Sequence, residues 1–300
     1  MNIFVIGATG FVGSNVVRQL AASGYTVTGF ARDAAGAAKV SASGGMPHIG
    51  EFDLALLTEL ARAADTTVFA PQLPDQDREY EVVSSLLGAL EGTDKGFLFT
   101  SGTGVLGQRT DGAWSEDSFA EDDSFVASKY LLRRRETEDL TRAAAGRGVR
   151  AMVVRPPLIW GEGYHGFVDQ VLTSIEKTGA ACYIGSGLNL YSHVHVADLA
   201  EVYQLAIETG RAGGLYHAVA GELNNRILAE LVARQQDVPT RSVTIAEAID
   251  IWGKFVTLVV LAVCSRSRSP RSRRELGWRP RHLDPIDAIL AGELNGRRRN

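Results

Sequence analysis

The feature that most constrains the fold of this chain is a glycine-rich turn near its start. An apolar run, NIFVI, leads directly into GATGFVG and then into a helical pattern. A turn of this kind between a strand and a helix lets the backbone approach a pyrophosphate, whose charge is favoured by the helix N-terminus. A plain glycine-rich turn is the alternative, but this context favours a dinucleotide site. Its predicted residues are Gly7, Thr9, Gly10, Phe11, Val12 and Gly13.

Short apolar runs alternate with helical patterns through the first half of the chain. Runs such as YTVTGFAR, TTVFAP, GFLFTSG and VRAMVVRPP are nearly all apolar, as in a sheet that is covered on both faces. The alternation predicts an α/β fold with a Rossmann-type, doubly wound parallel sheet. We expect one long helix to carry EDDSFVASKYLLRRRETED, from residue 121 to about residue 148.

The rhythm of strands and helices changes after Pro157. We therefore predict a smaller, mainly helical C-terminal substrate lobe, with part of the chain returning to the main sheet. The predicted dinucleotide-binding domain comprises residues 1–157 and about 190–212. The predicted substrate lobe comprises residues 158–189 and 213–300.

Composition narrows the classes of partner. The chain of 300 residues has 31 basic and 35 acidic residues, so nothing global indicates a nucleic-acid partner or an anionic membrane. The run at 255–263 is shorter than the roughly 20 residues that span a bilayer and predicts a buried helix. The basic run SRSRSPRSRR at 265–274 predicts a solvated face. The two cysteines, Cys182 and Cys264, lie in apolar stretches, which fits a reduced, cytoplasmic compartment.

The end of the second predicted strand bears on the choice of cofactor. Arg32 lies there and is followed by Asp33. An acidic residue at this point would hold the ribose hydroxyls of NAD, whereas a basic residue suits the additional phosphate of NADP. The sequence predicts NADP in preference to NAD, and a plain surface role for Arg32 stays open.

Motifs spread over most of the chain resemble the short-chain dehydrogenase/reductase superfamily, in its extended, NAD-dependent epimerase/dehydratase-like branch. They are GATGFVGSNVVRQLAASGYTVTGFAR, FLFTSGTGVLG, VVRPPLIWGEG, YSHVHVADLAEVY, GGLYHAVAG and RRELGWRP. The resemblance implies a site in the cleft between a Rossmann domain and a substrate lobe. It also implies further cofactor contacts from Glu51, Phe52, Ala70, Thr100, Pro156 and Leu158.

The resemblance implies a catalytic Tyr with a Lys four residues later, one helical turn on. Two registers are open in this sequence. One pairs Phe125 with Lys129 and lacks the phenol, whereas the other pairs Tyr130 with Arg134 and replaces the Lys. The second register is favoured because it places Glu138 where the family carries a Glu. Tyr130 would then be the general acid/base and Arg134 its electrostatic support.

The family also places a Ser after the fourth strand to orient the substrate oxygen. The usual second Ser of that motif falls on Gly102 here, so Ser101 or Thr103 would supply the hydroxyl. In the loop after the fifth strand, His165 is either a proton donor or an exposed residue. No metal site is expected, because no third ligand stands at suitable spacing.

These patterns predict an NAD(P)-dependent oxidoreductase that prefers NADPH and acts on a carbonyl or hydroxyl of a small organic molecule. Two alternatives stay open: a non-catalytic dinucleotide-binding sensor, and a nucleotide-sugar epimerase or dehydratase with its basic anchor in 265–274. The resemblance also implies a homodimer through the helices near 75–91 and 124–145, on condition that their arginines are matched by nearby acids.

Overall fold

The computed structural model describes residues 1–294; residues 295–300, the last six of the predicted substrate lobe, lie outside the described part. The strands within it are β1 (Asn2–Ile6), β2 (Thr26–Ala31), β3 (Met46–Ile49), β4 (Thr66–Phe69), β5 (Gly96–Thr100), β6 (Gln108–Arg109), β7 (Arg150–Arg155), β8 (Leu158–Gly161), β9 (Tyr164–His165), β10 (Ala181–Ile184), β11 (Leu190–His195), β12 (Leu215–His217), β13 (Gly221–Asn224), β14 (Thr240–Val243) and β15 (Val263–Cys264).

The helices described are α1 (Phe11–Ala22), α2 (Ala34–Ala42), α3 (Leu54–Ala63), α4 (Gln76–Leu90), α5 (Leu132–Ala143), α6 (Gly166–Thr178), α7 (Val196–Thr209), α8 (Asn225–Gln236), α9 (Ile245–Trp252), α10 (Pro270–Glu275) and α11 (Ile286–Leu290). Short 3-10 turns cover Thr103–Leu106 and Ala144–Arg147.

The main sheet has seven strands in the order β12-β7-β5-β4-β1-β2-β3, and all neighbouring pairs are parallel. Apolar side chains of α1 and α7 cover one face, and those of α3 and α4 cover the other. The central strands are buried because both faces are covered, which explains their nearly continuous apolar sequences. The predicted α/β, Rossmann-type, doubly wound sheet is confirmed.

A second region is built from the chain after β7. Strands β13-β11-β8-β9 form a four-stranded sheet, and β10 pairs in parallel with β14. Helices α6, α8 and α9 pack around a separate apolar cluster that includes Phe167, Leu228 and Ile251. The predicted division into two lobes stays a prediction. One detail differs, because the strand that rejoins the main sheet is β12 at 215–217, whereas β11 lies in the smaller sheet.

The helix expected from residue 121 begins only at Leu132. Tertiary contacts explain the difference, because the acidic residues before it are held by the chain after α9. The Glu121 carboxylate accepts hydrogen bonds from the backbone N–H groups of Arg271 and Ser272, and Asp122 pairs with the Arg271 guanidinium. These bonds fix residues 121–123 outside a helix, although their sequence is compatible with one.

The basic run at 265–274 is not the solvated face that was predicted. Every second residue from Ser265 to Ser269 is a buried serine, and Arg271 is also buried. The segment bridges to Phe119 and to Tyr191 as a short extended strand. This run therefore joins the chain before α5 to strand β11.

The apolar run at 255–263 forms a π-helical turn, Val256–Leu261, followed by strand β15. Phe255, at its start, is exposed rather than buried. Among residues 1–294, none of the helices is long and apolar enough to span a membrane. In the same range, no group of three or more His, Cys, Asp or Glu side chains is placed to hold a metal ion.

Candidate functional site

The glycine turn has the geometry that its sequence predicted. Gly7 has φ +84°, a left-handed conformation that favours glycine, and a Cβ there would lie 2.6 Å from the backbone nitrogen of Pro71. A Cβ on Gly13 would lie 2.1 Å from the Gly7 carbonyl oxygen. Gly10 is the N-cap of α1 and donates its N–H to that same carbonyl, at 3.0 Å. Only glycine fits at Gly7 and Gly13, and the turn presents the start of α1 to the cleft.

A cavity of about 1130 Å³, here called the turn cavity, lies over this turn. Its lining residues extend from the end of β2 to the start of α5. Its lining includes Gly7, Thr9, Gly10, Phe11, Val12, Arg32, Lys39, Ala70, Arg134, Glu162, Tyr164 and Phe255. Gly13 lies beneath the turn, where it lets α1 pack closely on the strand.

Two cations line the end of the turn cavity beside α2. Arg32 is exposed at the end of β2, and Lys39 lies on α2, which follows it. Asp33 is the N-cap of α2, and its Oδ1 accepts a hydrogen bond from the Gly36 N–H at 2.7 Å. One oxygen of the Asp33 carboxylate is therefore engaged in the helix cap, and the two cations Arg32 and Lys39 outnumber its single negative charge at this end of the cavity.

A second cavity of about 340 Å³, here called the inner cavity, continues from the first. Both are lined by Ala70, Leu131, Arg134, Tyr164 and Phe255, so they form one cleft. Its wall also includes Thr100, Ser101, Gly102, Thr103, Pro156, Leu158, Phe167, Tyr191, Val259 and Val260.

The predicted hydroxyls lie in the inner cavity. Ser101 and Thr103 are buried, and in the described part of the chain neither side-chain oxygen has a hydrogen-bond partner. Thr100 differs, because its hydroxyl is 2.7 Å from the Tyr203 hydroxyl beneath the sheet. Buried hydroxyls are normally paired. Ser101 and Thr103 thus line the inner cavity with hydroxyls that have no partner within the described residues, whereas the Thr100 hydroxyl is already paired.

Arg134 contributes a positive charge to the wall of the inner cavity. Its Nη2 donates to the Glu79 carboxylate at 2.8 Å, and its Nη1 lies 3.5 Å from the Thr100 carbonyl oxygen. Glu79 is fully buried on α4, and burial raises the pKa of its carboxyl, against the opposing attraction of Arg134. The guanidinium is thus fixed at the junction of the two cavities rather than free in solvent.

The tyrosine of the favoured register lies apart from Arg134. Tyr130 precedes α5 in a turn, is 38% exposed, and its backbone carbonyl accepts a hydrogen bond from Gln76 at 2.9 Å. Its ring is stacked beneath the Lys129 ammonium, and within residues 1–294 neither side chain contributes to the walls of the two cavities. Phe125, of the other register, packs against the Arg155 guanidinium.

The other cofactor contacts implied by the resemblance separate into two groups. Pro156 and Leu158 line the inner cavity, and Ala70 lines both cavities. Glu51 is exposed, and Phe52 packs edge to face against Phe30 with ring centroids 6.1 Å apart. In the described part of the chain, neither Glu51 nor Phe52 lines either cavity.

His165 is neither exposed nor placed to donate a proton. It is buried as the N-cap of α6, and its Nδ1 accepts hydrogen bonds from the Phe167 and Val168 N–H groups, each at 3.3 Å. Burial, reinforced by His193, lowers the pKa of His165 to about 3. It is therefore neutral near pH 7 and has a structural role.

Several cleft residues were not found from the sequence. Lys39 stands on a helix that the strand pattern did not reveal, and Phe255 looked like part of a buried run. Glu162, at φ +48° between two glycines of positive φ, binds Arg18 and Asn15 of α1 and closes the turn cavity. The only sequence signal for this contact is the pair of glycines that flank Glu162.

Comparison with known proteins identifies the family of the chain. The family model described as "NAD dependent epimerase/dehydratase family" matches residues 3–220. An uncharacterized protein of Schizosaccharomyces pombe is 34% identical over 292 residues, covering 94% of this chain and 96% of the relative. A farnesyl-dihydroquinoline-oxide ketoreductase of Stigmatella aurantiaca is 27% identical and covers 96% of both chains.

Solved structures give the same fold. The dTDP-glucose 4,6-dehydratase DesIV of Streptomyces venezuelae, determined with NAD bound, has a TM-score of 0.76 at 23% identity, covering 98% of this chain and 96% of that chain. A glycine turn under an extended cleft, the parallel sheet and the family match over more than two thirds of the residues lead to one conclusion. The chain belongs to the NAD-dependent epimerase/dehydratase family.

Proposed function

We propose that this protein is an NADPH-dependent carbonyl reductase that acts on a small organic molecule, reversibly as an alcohol dehydrogenase. One observation carries the proposal. Ser101 and Thr103, whose buried hydroxyls have no partner in the described structure, line a cavity with Arg134, and that cavity is continuous with the dinucleotide turn. Donors placed where negative charge develops on an oxygen are the main electrostatic device of carbonyl chemistry.

The residues of the turn cavity fit a dinucleotide. A Cβ on Gly7 or Gly13 would collide with the backbone of Pro71 or of Gly7, so these glycines permit the tight turn that presents Gly10 and the start of α1 to the cavity, as binding of a pyrophosphate requires. Arg32 and Lys39 supply two cations at the adenosine end, which supports NADP over NAD. When bound, NADPH supplies the hydride for the substrate carbon.

The chain's own residues then act on the substrate oxygen. Ser101 and Thr103 donate hydrogen bonds to the carbonyl and orient it. Arg134 stabilises the negative charge as the carbonyl π bond breaks. A C–H bond forms at carbon, and an O–H bond forms at oxygen with a proton from Tyr130. This last role requires the Tyr130 ring to turn from its exposed position toward the cleft beside Leu131.

Two relatives support the reaction class. A ketoreductase of Stigmatella aurantiaca and a dihydroflavonol 4-reductase of Zea mays both match, the latter at 25% identity over 80% of this chain. Both relatives are named for the reduction of a compound that is not a nucleotide sugar. The epimerase or dehydratase alternative is also compatible with the family, and the character of the inner cavity bears on it below.

The sensor alternative is favoured by one observation, the position of Tyr130 outside the cleft. A protein of this kind would bind NADPH without reducing any carbonyl. The free, buried thiols of Cys182 and Cys264 support a reduced, cytoplasmic setting for either function.

A homodimer through α4 and α5 stays a prediction. The three arginines on α5 satisfy the condition set for it, because each is paired with an acid of the same chain. These pairs are Arg133 with Asp77 and Glu136, Arg134 with Glu79, and Arg135 with Asp139.

The deciding experiment compares the combined variant, Ser101→Ala with Thr103→Val, with the control variant Thr67→Val. Both threonine hydroxyls are buried and unpartnered in the described structure, but Thr67 lies in the core strand β4, away from the cleft. With NADPH and a panel of neutral aromatic aldehydes, we expect kcat/KM to fall about 100-fold or more when Ser101→Ala and Thr103→Val are combined, with NADPH affinity unchanged. Thr67→Val should retain wild-type kcat/KM.

Turnover that survives the combined change would exclude these hydroxyls from the reaction. NADPH binding without turnover of any panel member would instead support the sensor. Tyr130→Phe tests the proton donor separately from the Ser101 and Thr103 hydroxyls. It should lower kcat and leave NADPH affinity and folding intact.

A further inference from the structure

The walls of the inner cavity indicate the chemical class of the substrate. We propose that this substrate is an uncharged, largely apolar carbonyl compound, rather than a nucleotide sugar or a carboxylate. The inference deepens the proposed function and rests on it. It is carried by the composition of the cavity wall and by the way in which every nearby arginine is engaged.

Apart from Gln72, Arg134 and the hydroxyl-bearing residues, the wall of the inner cavity is apolar and aromatic. Four aromatic residues line it: Tyr164, Phe167, Tyr191 and Phe255. Aliphatic side chains complete it: Val105, Leu131, Leu158, Ile159, Val259 and Val260. A site of this kind gains affinity by burying apolar surface, at about 25 cal/mol per Å². A charged or heavily hydroxylated ligand would lose its hydration there without replacement.

The charged group on the described wall of the inner cavity is Arg134, and it is already balanced. Its guanidinium is paired with the buried carboxylate of Glu79 at 2.8 Å. Binding a diphosphate, with its two or more negative charges, would need cations in addition to this one. Along residues 1–294, the inner cavity wall supplies none.

The basic run after β15, the anchor that a nucleotide sugar would need, is used within the fold. None of its described arginines reaches the walls of either cavity. Their side chains bind acids and carbonyls elsewhere: Arg266 with Glu222 and the Ser115 carbonyl, Arg268 with Asp123, Arg271 with Asp122 and the Leu215 carbonyl, and Arg273 with the Val219 carbonyl.

Phe255 is placed to select among substrates. It begins the π-helical turn Val256–Leu261, is 58% exposed, and lines both cavities. An exposed aromatic at the junction of two cavities offers a stacking surface to an apolar ligand as it enters. Because the side chain is largely solvated without a ligand, a charged residue at this position is compatible with folding.

The test measures binding by calorimetry to the full chain loaded with NADP⁺, which cannot reduce an aldehyde. The probes are para-methylbenzaldehyde, para-carboxybenzaldehyde and UDP-glucose. The first two share a ring and a carbonyl and differ in charge. We expect the methyl compound to bind at least tenfold more tightly than the carboxylate, and UDP-glucose to bind no more tightly than the carboxylate. Equal or tighter binding of either anion would overturn the proposal, and so would failure of all three to bind.

Two variants sharpen the result. Phe255→Arg should lower the ratio of the affinities for the neutral and the carboxylated aldehyde by about fivefold or more. Phe255→Leu should preserve that ratio. An unchanged ratio in Phe255→Arg would remove Phe255 from substrate selection. Because these measurements need no turnover, they separate the two claims. A neutral aldehyde that binds but is never reduced with NADPH would defeat the proposed reductase and leave the substrate class standing.

Discussion

The guanidinium of Arg134 binds the fully buried carboxylate of Glu79, with 2.8 Å between Nη2 and Oε2. This pair joins α5 to α4 at the junction of the two cavities. The family resemblance places a Lys at position 134, and a Lys would present one ammonium instead of a planar fork. Arg134 holds Glu79 with one nitrogen of that fork, and the other lies 3.5 Å from the Thr100 carbonyl oxygen at the wall of the inner cavity.

Arg134→Met should reduce both stability and activity. Removing the guanidinium leaves the Glu79 carboxylate buried without a counter-ion, which costs about 3 kcal/mol in the free energy of unfolding. Carbonyl reduction should fall as well, because the charge that faces the substrate oxygen is lost. Urea unfolding and steady-state kinetics measure the two effects separately.

The double variant Glu79→Gln with Arg134→Met provides the control. Without a buried charge to compensate, most of the lost stability should return, but the activity should not. Recovery of activity in the double variant would show that Arg134 acts only through folding. A stable Arg134→Met protein would show that the pair contributes little to the native state.

Glu121→Ala should destabilise the chain segment before α5. The Glu121 carboxylate is buried and accepts hydrogen bonds from the backbone N–H groups of His217, Arg271 and Ser272, so its loss leaves buried donors unpaired. We expect a loss of about 3 kcal/mol in the free energy of unfolding. Glu116→Ala, at an exposed position on the same segment, is the matched control and should change stability by less than about 0.5 kcal/mol. Similar values for the two variants would contradict this account.

The sequence predicted those parts of the fold that local pattern determines. The glycine turn, the five main strands first identified and the family follow from residue type and spacing, and the structure agrees with them. The start of α5 could not be predicted in this way. It depends on Glu121 and Asp122 meeting Arg271, which lies about 150 residues further along the chain and gives no local signal.

The residues of the candidate site also divide into those that local motifs predict and those that only tertiary packing places. Gly7, Ser101 and Arg134 belong to motifs and were predicted at the cleft that the structure shows. Lys39 and Phe255 reach the cleft only through the packing of α2 and of the π-helical turn. The exposed position of Tyr130 was also hidden, because an i, i+4 pair with Arg134 assumes a helix, whereas the Gln76 side chain binds both the Tyr130 carbonyl oxygen and the Arg134 N–H that a helix would join.

Arg18→Gln should speed the release of cofactor. The Arg18 side chain on α1 forms an ion pair with Glu162, and Asn15 also donates to that carboxylate, at 3.3 Å. These bonds hold the loop after β8 against the helix that begins at the glycine turn. Because the ion pair is exposed, we expect only a two- to fivefold rise in the NADPH dissociation rate, consistent with about 0.5–1 kcal/mol. Stopped-flow fluorescence measures that rate, and an unchanged rate would show that this loop does not retain the cofactor.

Stability should fall on acidification below pH 6.5. Burial lowers the pKa of His217 to about 3 and that of His193 to about 4, from 6.5, and His165 behaves likewise. The unfolded chain therefore binds more protons than the folded chain between these values, so stability rises with pH across that window. Each such histidine should cost about 2 kcal/mol at about pH 5 relative to pH 7.5.

Urea unfolding at several pH values measures this loss directly. His193→Asn should reduce the difference between pH 5 and pH 7.5, because it removes one group that takes up a proton on unfolding. A free energy of unfolding that stays constant across this range in the wild type would show that these histidines are not buried as neutral groups.

The most direct test of the central claim is a fluorescence titration of the purified protein with NADPH and, separately, with NADH. We expect NADPH to bind at least tenfold more tightly. Arg32→Ala and Lys39→Ala should each lower the affinity for NADPH by about tenfold and leave the affinity for NADH unchanged. Each variant removes a positive charge from the 2′-phosphate site. Tighter binding of NADH, or equal effects of these variants on both cofactors, would contradict the NADPH assignment, and binding of neither would contradict the dinucleotide site itself.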